Sequence, residues 1–342
     1  MGEFEVSTHQ VRPGEDFDYY SGSIMFNSFE CFLARECFLI AGDPTIGWQR
    51  FLFEKYGRLG SAFVFGCGNG WVERGLFQAG IIDRVTGFDI MPKHVEEANR
   101  EAERIGLLAR YSLADSNTFD PGDMRANLVV NNGAMHHVAY INRLTELLAR
   151  ICADGLYVGH DYTGPHRNQY SWEVWSKVID LSLRLPDKYR LPLRYPHMKT
   201  MLALDPSEAV HSELQMEVLL RHFDLVRHAR LGGGLCHPLL INNHRLYHER
   251  HSEEGRAALA LIMETEETCL SANPDFNLFT FFVAKPKLHP ASALERLQWQ
   301  AEENEREARA ASDGGRYRRP EPLEMIYDEL ANAEYKLGLT QT

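Results

Sequence analysis

Between residues 62 and about 161, short apolar runs alternate with amphipathic stretches. The runs AFVFG, VTGFDI, LVVNN and GLYVGHD have the length and composition of buried strands, and the stretches between them carry apolar residues at helical spacing. This alternation predicts βαβ units and therefore an α/β fold with a doubly wound, Rossmann-like parallel sheet. Open sheets of this kind hold their ligands at the carboxyl ends of the strands.

The flanking segments have a different pattern. Residues 1–58 are rich in aromatic side chains at helical spacing and predict a helical cap next to a main domain at residues 59–286. Prolines break the pattern within residues 162–212, which we interpret as an insertion over the strand ends. Residues 287–342 predict a charged helical tail. Its last helix has an apolar face for packing on its own domain or on a second copy of the chain, formed by Ile326, Leu330, Ala333 and Leu337.

The overall composition narrows the class of protein. With 44% hydrophobic and 25% charged residues, the 342-residue chain has the composition of a globular protein. A formal net charge of -12 disfavours a nucleic-acid partner, because such binding depends on basic side chains that neutralise phosphates. The six cysteines form no Cys-x-x-Cys pair, and no apolar stretch has the length of a membrane span. We therefore expect a cytoplasmic protein with neither a nucleic-acid nor a membrane partner.

A glycine-rich turn follows the first predicted strand and precedes a helix. It consists of Gly66, Cys67, Gly68, Asn69 and Gly70. Such a turn brings backbone N–H groups and a helix N-terminus close to a ligand. The dinucleotide pattern Gly-x-Gly-x-x-Gly would require a third glycine at position 71, where the chain has Trp71. This residue disfavours an NAD-dependent oxidoreductase.

The second predicted strand ends in Asp89, about 20 residues after the glycines. A carboxylate at this position can accept hydrogen bonds from both hydroxyls of a ribose. The glycine turn and Asp89 together predict an adenosyl ligand.

At this point the chain resembles the class I methyltransferases that use S-adenosylmethionine (SAM). VFGCGNG is similar to the glycine motif of that family, and Asp89 corresponds to its ribose-binding acid. Asp115, with Ser116 and Asn117, resembles the acidic turn that contacts adenine, and LVVNNGAMHHV resembles the motif whose strand end faces the methyl group. The resemblance implies an enzyme that transfers a methyl group from SAM as its cofactor.

Two further segments are similar to a bacterial subgroup of these enzymes. HDYTGPHRNQY, at residues 160–170, resembles its GPxR segment, and DPSEAVHS, at residues 205–212, resembles its DPSEA segment. The similarity spans residues 20–286 and implies a small-molecule or sugar acceptor. The chain departs from the subgroup at His211, where we expect arginine.

The resemblance and the strand ends supply the candidate site residues. The candidates for SAM binding are Gly66, Cys67, Gly68, Asn69, Gly70, Asp89, Ile90, Asp115, Ser116, Asn117 and Asn131. The candidates for catalysis are His136, His137, Asp161 and Tyr162, because an imidazole near neutrality can take a proton from a hydroxyl or an amine. Each histidine taken alone is also consistent with a structural role.

The predicted insertion supplies the candidates for acceptor binding, which are His166, Arg167, Tyr170, Lys199 and His211. The planar guanidinium of Arg167 can bind two oxygens of a carboxylate or a phosphate. An internal ion pair of Arg167 with Asp205 or Glu208 is the alternative.

We predict no metal site from the sequence. The histidines at 244, 248 and 251 have a spacing compatible with one helix face, and His237 lies nearby. However, after His248 and Glu249 the second histidine of a metalloprotease pattern comes one position too early, at His251. No cysteine joins the group at a zinc-like spacing.

The sequence therefore predicts SAM-dependent methylation of oxygen, nitrogen or sulfur on a small polar metabolite or sugar. A thioether acceptor, which loses no proton and whose sulfonium product would contact aromatic rings, is one alternative. A SAM-binding module without turnover, which assembles through its C-terminal helices, is another.

Overall fold

One mixed sheet runs through the part of the chain that the computed structural model describes, which is residues 24–312 apart from positions 153, 199–200 and 203–204. Its order is β3-β2-β1-β4-β5-β7-β6. Strands β1 to β5 pair in parallel, and β7 is antiparallel to both of its neighbours. The strands are β1 (Gly60–Phe65), β2 (Ile82–Asp89), β3 (Leu108–Leu113), β4 (Leu128–Asn132), β5 (Leu156–Tyr162), β6 (Phe223–Gly233) and β7 (Asn277–Pro286).

The helices precede the sheet, connect its strands and follow it. They are α1 (Glu30–Ala41), α2 (Trp48–Tyr56), α3 (Trp71–Gln78), α4 (Pro92–Ile105), α5 (Ile141–Ile151), α6 (Trp172–Arg184), α7 (Gln215–His222), α8 (Cys236–Leu240), α9 (His244–Glu249), α10 (Glu253–Ala272) and α11 (Ala293–Ser312). None of the helices in the described part of the chain combines the length and the apolar character that crossing a membrane requires.

The central strands are buried on both faces, as expected for a parallel sheet covered by helices on both sides. One face packs against α2, α3 and α4, with Leu52, Leu76 and Ala98 in the shared core. The other face packs against α5 and α7, with Leu144 and Val218 in the core. The predicted doubly wound α/β fold is therefore confirmed.

A third core lies between the N-terminal segment and the helices beyond β5. Phe29 and Phe32 near the start of α1 share this core with Trp175 of α6, Leu239 of α8 and Ile262 of α10. The helical N-terminal segment and the inserted segment thus pack together, and helices that follow β6 complete the layer. The domain division at residues 58 and 286 stays a prediction.

Helix α11 contacts the sheet domain through charged residues. The buried carboxylate of Glu303 accepts hydrogen bonds from the backbone N–H of Asn142 (2.6 Å) and of Arg143 (3.0 Å) at the start of α5. Glu307 lies 2.6 Å from His211 Nε2. Helix α11 is therefore docked on the sheet domain. The predicted apolar face at residues 326–337 lies outside the described residues.

Candidate active site

The glycine turn joins β1 to α3 in a backbone conformation that favours glycine. Gly66, Gly68 and Gly70 have φ values of 57°, 52° and 75°, which side chains adopt only at a steric cost. A Cβ added to Gly66 would lie 2.7 Å from the Cβ of Ala134, in the loop after β4. The turn therefore approaches the β4 loop too closely for any larger residue.

Two residues of this turn point away from its backbone. The Cys67 side chain is buried in the core beneath the turn. Asn69 Nδ2 donates to Glu97 on α4 at 3.2 Å, whereas Asn69 Oδ1 is buried and has no partner among the described residues. Asn69 Oδ1 is thus an acceptor atom without a donor among the described residues.

Asp89 ends β2 directly beside the glycine turn. Its Oδ2 accepts the Gly68 N–H at 2.8 Å, and its Oδ1 accepts the Met91 N–H at 2.9 Å. A carboxylate has about four acceptor positions, so Asp89 keeps capacity for further donors. The next side chain, Ile90, is 40% exposed and offers an apolar surface beside the carboxylate.

The acidic turn after β3 is closed by its own side chains. Asp115 Oδ1 accepts hydrogen bonds from the backbone N–H and the side-chain amide of Asn117, at 2.8 and 3.1 Å. Asn117 Oδ1 in turn accepts the N–H groups of Ala139 and Tyr140, just before α5. Asn117 therefore fixes the turn to the loop after β4, and Ser116 lies at its tip.

His136 and Asp161 form the centre of a polar cluster at the ends of β4 and β5. His136 Nδ1 lies 2.5 Å from Asp161 Oδ1, and Asp161 is only 1% exposed. Asp161 also accepts hydrogen bonds from Asn131 Nδ2 (2.7 Å) and from the N–H groups of Met135 and Tyr162 (2.8 and 2.7 Å). Its role is therefore to orient His136. The side chain of Asn131, a predicted SAM ligand, is committed to this network.

His137 is oriented by the DPSEA segment. The Ser207 hydroxyl donates to Asp205 Oδ1 at 2.7 Å, so its oxygen accepts the proton of His137 Nδ1 at 3.0 Å. This arrangement leaves the lone pair on His137 Nε2. Both Nε2 atoms face Glu208 Oε2, at 3.6 Å for His136 and 3.7 Å for His137.

The two histidines differ in protonation. Burial by itself lowers the pKa of His136, but the negative charges of Asp161 and Glu208 outweigh it and raise the pKa well above 6.5. Burial and the neighbouring charge of His136 lower the pKa of His137 below 6.5. At neutral pH the pair therefore consists of a charged His136 and a neutral His137.

Arg167 occupies a buried structural position. Its guanidinium donates to the backbone carbonyls of Pro206 and Glu208, and its N–H donates to the Ala209 carbonyl at 2.7 Å. The guanidinium is thus bonded to peptide oxygens rather than to the carboxylates of Asp205 or Glu208, and its role as a clamp for the acceptor stays a prediction. Arg167 holds the segment that carries Glu208.

The remaining catalytic candidate, Tyr162, and the other predicted acceptor residues are distributed around this cluster. Buried Tyr162 packs edge-on against Phe279, and the Tyr170 ring stacks on Trp175. His166 Nδ1 lies 2.5 Å from the Val210 carbonyl oxygen. His211 is buried against Glu307 of α11, so its contacts are within the protein. Lys199 lies outside the described residues.

Of the histidines that we rejected as metal ligands, His244 and His248 share the short helix α9, whereas His237 and His251 lie outside it. His237 packs against Phe26 and Phe279, and burial lowers its pKa to about 4. Helix α9 ends at Glu249, so His251 does not continue the helix face that begins at His244. A group that the sequence analysis missed is His136, His137 and Glu208, whose ligand atoms lie within 4.8 Å of one another. The DPSEA segment was the available signal, but it gave no indication of a contact with the histidine pair.

Comparison with known proteins agrees with the fold and the glycine turn. Residues 63–155 match the model of a family described as a methyltransferase domain. No curated protein sequence matches the chain.

Similar solved structures include a SAM-dependent methyltransferase from Mesorhizobium loti, with 15% identity, a TM-score of 0.41 and coverage of 70% of this chain and 97% of that one. Another is a geranyl diphosphate C-methyltransferase from Streptomyces coelicolor, with 15% identity, a TM-score of 0.42 and coverage of 70% and 79%. A third is a cyclopropane synthase from Mycobacterium tuberculosis, with 14% identity, a TM-score of 0.44 and coverage of 72% and 85%.

The matched domain spans β1 to the loop before β5, which includes the glycine turn, Asp89 and the histidine pair. The chain therefore carries a methyltransferase domain with a class I, Rossmann-like fold. It is an enzyme that transfers methyl groups, and its cofactor is SAM.

Proposed function

We propose that the protein methylates an oxygen, nitrogen or sulfur atom of a small polar metabolite or sugar, at a site bounded by the glycine turn and the histidine pair. The observation that carries the proposal is the convergence of two groups on one sheet edge. The turn after β1 contacts Ala134, and the histidines follow two residues later in the same loop. A donor on the turn and an acceptor at the histidines would therefore be neighbours.

The residues at the turn fit SAM. The spare acceptor positions of Asp89 suit ribose hydroxyls, the exposed Ile90 side chain suits the adenine face, and Asn69 Oδ1 suits an ammonium donor. Asp115 and Ser116 would border the adenine through the turn that Asn117 fixes. SAM supplies an electrophilic methyl group on a sulfonium, and the protein's task is to align the acceptor with it and exclude water.

On the acceptor side, His137 is the residue that we assign to proton uptake. It is neutral at physiological pH, and its Nε2 lone pair is directed away from the Ser207 contact that holds Nδ1. The charged His136 and Asp161 hold the loop in position, and Glu208 compensates the charge that arises when His137 takes a proton.

Calorimetry with S-adenosylhomocysteine (SAH), the demethylated product of SAM, tests the donor half. We expect Asp89→Ala to weaken SAH binding by about 1.5–3 kcal/mol, or roughly 10- to 150-fold, because hydrogen bonds to a charged group are lost. Asp224→Ala, at an exposed position of β6, should bind SAH like the wild type. Wild-type binding of NAD without binding of SAH would contradict the assignment.

Methyl-labelled SAM, incubated with metabolite extracts, tests the acceptor half. For an acceptor that loses a proton, His136→Gln/His137→Gln should reduce label transfer by about 10²- to 10⁴-fold while SAH binding is retained. His248→Gln, on the exposed face of α9, is the matched control. Undiminished transfer in the double variant would instead support a thioether acceptor, and no transfer in the wild type would support a SAM-binding module.

A further inference from the structure

The histidine pair and Glu208 have the arrangement of a metal centre. Two imidazole nitrogens and one carboxylate oxygen converge, with Nε2 to Oε2 distances of 3.6 and 3.7 Å. Two ligand atoms that are each about 2.1 Å from a metal ion lie about 3.4 Å apart at a tetrahedral angle. Both Nε2 to Oε2 distances are therefore within a few tenths of an ångström of this value, and the ligand atoms of all three residues lie within 4.8 Å of one another.

Both histidines are also oriented as metal ligands are. A ligating histidine usually gives its second ring nitrogen to a carboxylate or another fixed acceptor, which sets its tautomer. Here Nδ1 of His136 lies 2.5 Å from Asp161, and Nδ1 of His137 lies 3.0 Å from Ser207, which Asp205 holds. Each ring thus presents Nε2 to the same carboxylate oxygen.

The charges at the cluster favour a cation. Three carboxylates, those of Asp161, Asp205 and Glu208, surround the two rings. His137 Nε2 carries a lone pair and faces another acceptor atom, an arrangement that a shared proton or a positive ion stabilises. The remaining carboxylate oxygen, Glu208 Oε1, is held by Asn168 Nδ2 at 3.4 Å, which directs Oε2 towards the histidines.

We propose that Nε2 of His136, Nε2 of His137 and the carboxylate of Glu208 form a binding site for one divalent transition-metal ion. Two histidines and one carboxylate suit zinc, iron(II), manganese or cobalt and leave coordination positions open. The acceptor class that fits is a compound with a hydroxyl or carbonyl oxygen that can fill an open position. This part of the inference rests on the proposed function, whereas the metal site itself does not.

A metal ion excludes a proton at either Nε2 atom, so it would displace the Nε2 proton of the charged His136 and take up the lone pair of His137. The metal-free protein has a base there, and the metal-loaded protein has a ligand. The proposal therefore departs from our sequence-based expectation of no metal, and it is tested without reference to activity.

The test is titration of the full chain, freed of metal by a chelator, with Zn²⁺ by calorimetry and with Co²⁺ by visible absorption. We expect one ion per chain, with cobalt bands that report nitrogen and oxygen ligands. Glu208→Gln should weaken binding at least tenfold, and His136→Gln/His137→Gln should abolish it. Ser207→Ala, which releases only the orienting contact of His137, should cost roughly 10- to 100-fold in affinity.

His248→Gln is the control for surface histidines, and thermal unfolding of each metal-free variant shows whether it is folded. His166, His211 and Glu213 form a second group with suitable geometry, so His211→Gln is included. No stoichiometric binding, or binding that survives Glu208→Gln and is lost in His211→Gln, would overturn the proposal. Metal binding without methyl transfer would support the site and refute the proposed function. Methyl transfer without stoichiometric metal binding would refute the site and support the proposed function.

Discussion

The two halves of the site are built in different ways. The donor half comes from the ends of three successive strands, β1 to β3, and its shape depends on backbone conformation at Gly66, Gly68 and Gly70. The acceptor half joins the turn after β4 to Ser207 and Glu208, which lie about 70 residues further along the chain. Motifs of closely spaced residues therefore revealed the first half, whereas the second depends on side chains that only the fold brings together.

Of the substitutions that test this comparison, removal of the Asp161 carboxylate should cause the largest loss of stability. Asp161→Ala takes the partner from a buried charged histidine and from two backbone N–H groups, so we expect the free energy of unfolding to fall by about 3–5 kcal/mol. Urea denaturation measures the loss. Asp180→Ala, at an exposed position of α6, should change stability by less than about 0.5 kcal/mol. Similar losses in both variants would show that the acceptor cluster does not stabilise the fold.

Alanine substitutions at two glycines distinguish the energetic cost of backbone strain from the cost of close packing at the donor side. Gly42→Ala, at φ 80° with no neighbour within 4 Å, should cost about 1–2 kcal/mol from strain alone. Gly66→Ala adds a clash with Ala134, for which overpacking typically costs a further 1–3 kcal/mol or so. Denaturation of both variants gives the difference. Equal losses would mean that the turn and the β4 loop are not in tight contact.

The effect that is smallest per pH unit concerns Glu73, behind the glycine turn. Burial raises the pKa of this carboxyl to about 8, and neither of its oxygens has a partner among the described residues. The folded protein therefore keeps a proton that the unfolded chain releases above its ordinary pKa of 4.5. Stability should fall by about 1.4 kcal/mol per pH unit from this group as the pH rises towards 8.

Glu73→Gln should remove this pH-dependent loss of stability, so the stability advantage of the variant over the wild type should increase between pH 5 and pH 8. Urea denaturation at several pH values checks the slope, with the exposed Glu96→Gln as its control. An unchanged slope in Glu73→Gln would show that the carboxyl is ionised in the folded protein.

Sequence patterns predicted the sheet because each central strand is a short apolar run and each crossover helix has an apolar face. They also located the glycine turn and the end of β2, since positive φ values and strand ends have local signatures. The cap was less predictable. Phe29, Trp175 and Ile262 share one core although they are far apart in the chain, and no local pattern reports such packing.

The acceptor side shows the same limit at the level of single residues. In the sequence, Arg167 is a candidate for binding an anion because of its residue type. In the fold, its guanidinium is bonded to peptide carbonyls. Glu208 was considered only as a partner for Arg167, whereas its side chain faces the histidine pair. The residue types indicated a polar site. The direction of each side chain, in contrast, could be determined only from the tertiary structure.

Helix α11 has a consequence for how the protein can be divided. By sequence it begins a charged tail, yet Glu303 caps the helix that follows the histidine loop and Glu307 holds the segment that follows Glu208. A chain shortened at residue 286 would leave the N–H groups of Asn142 and Arg143 and the imidazole of His211 without these carboxylate partners. Loss of α11 after protease cleavage between β7 and α11 would accordingly disturb the candidate active site without removing any of the candidate catalytic residues.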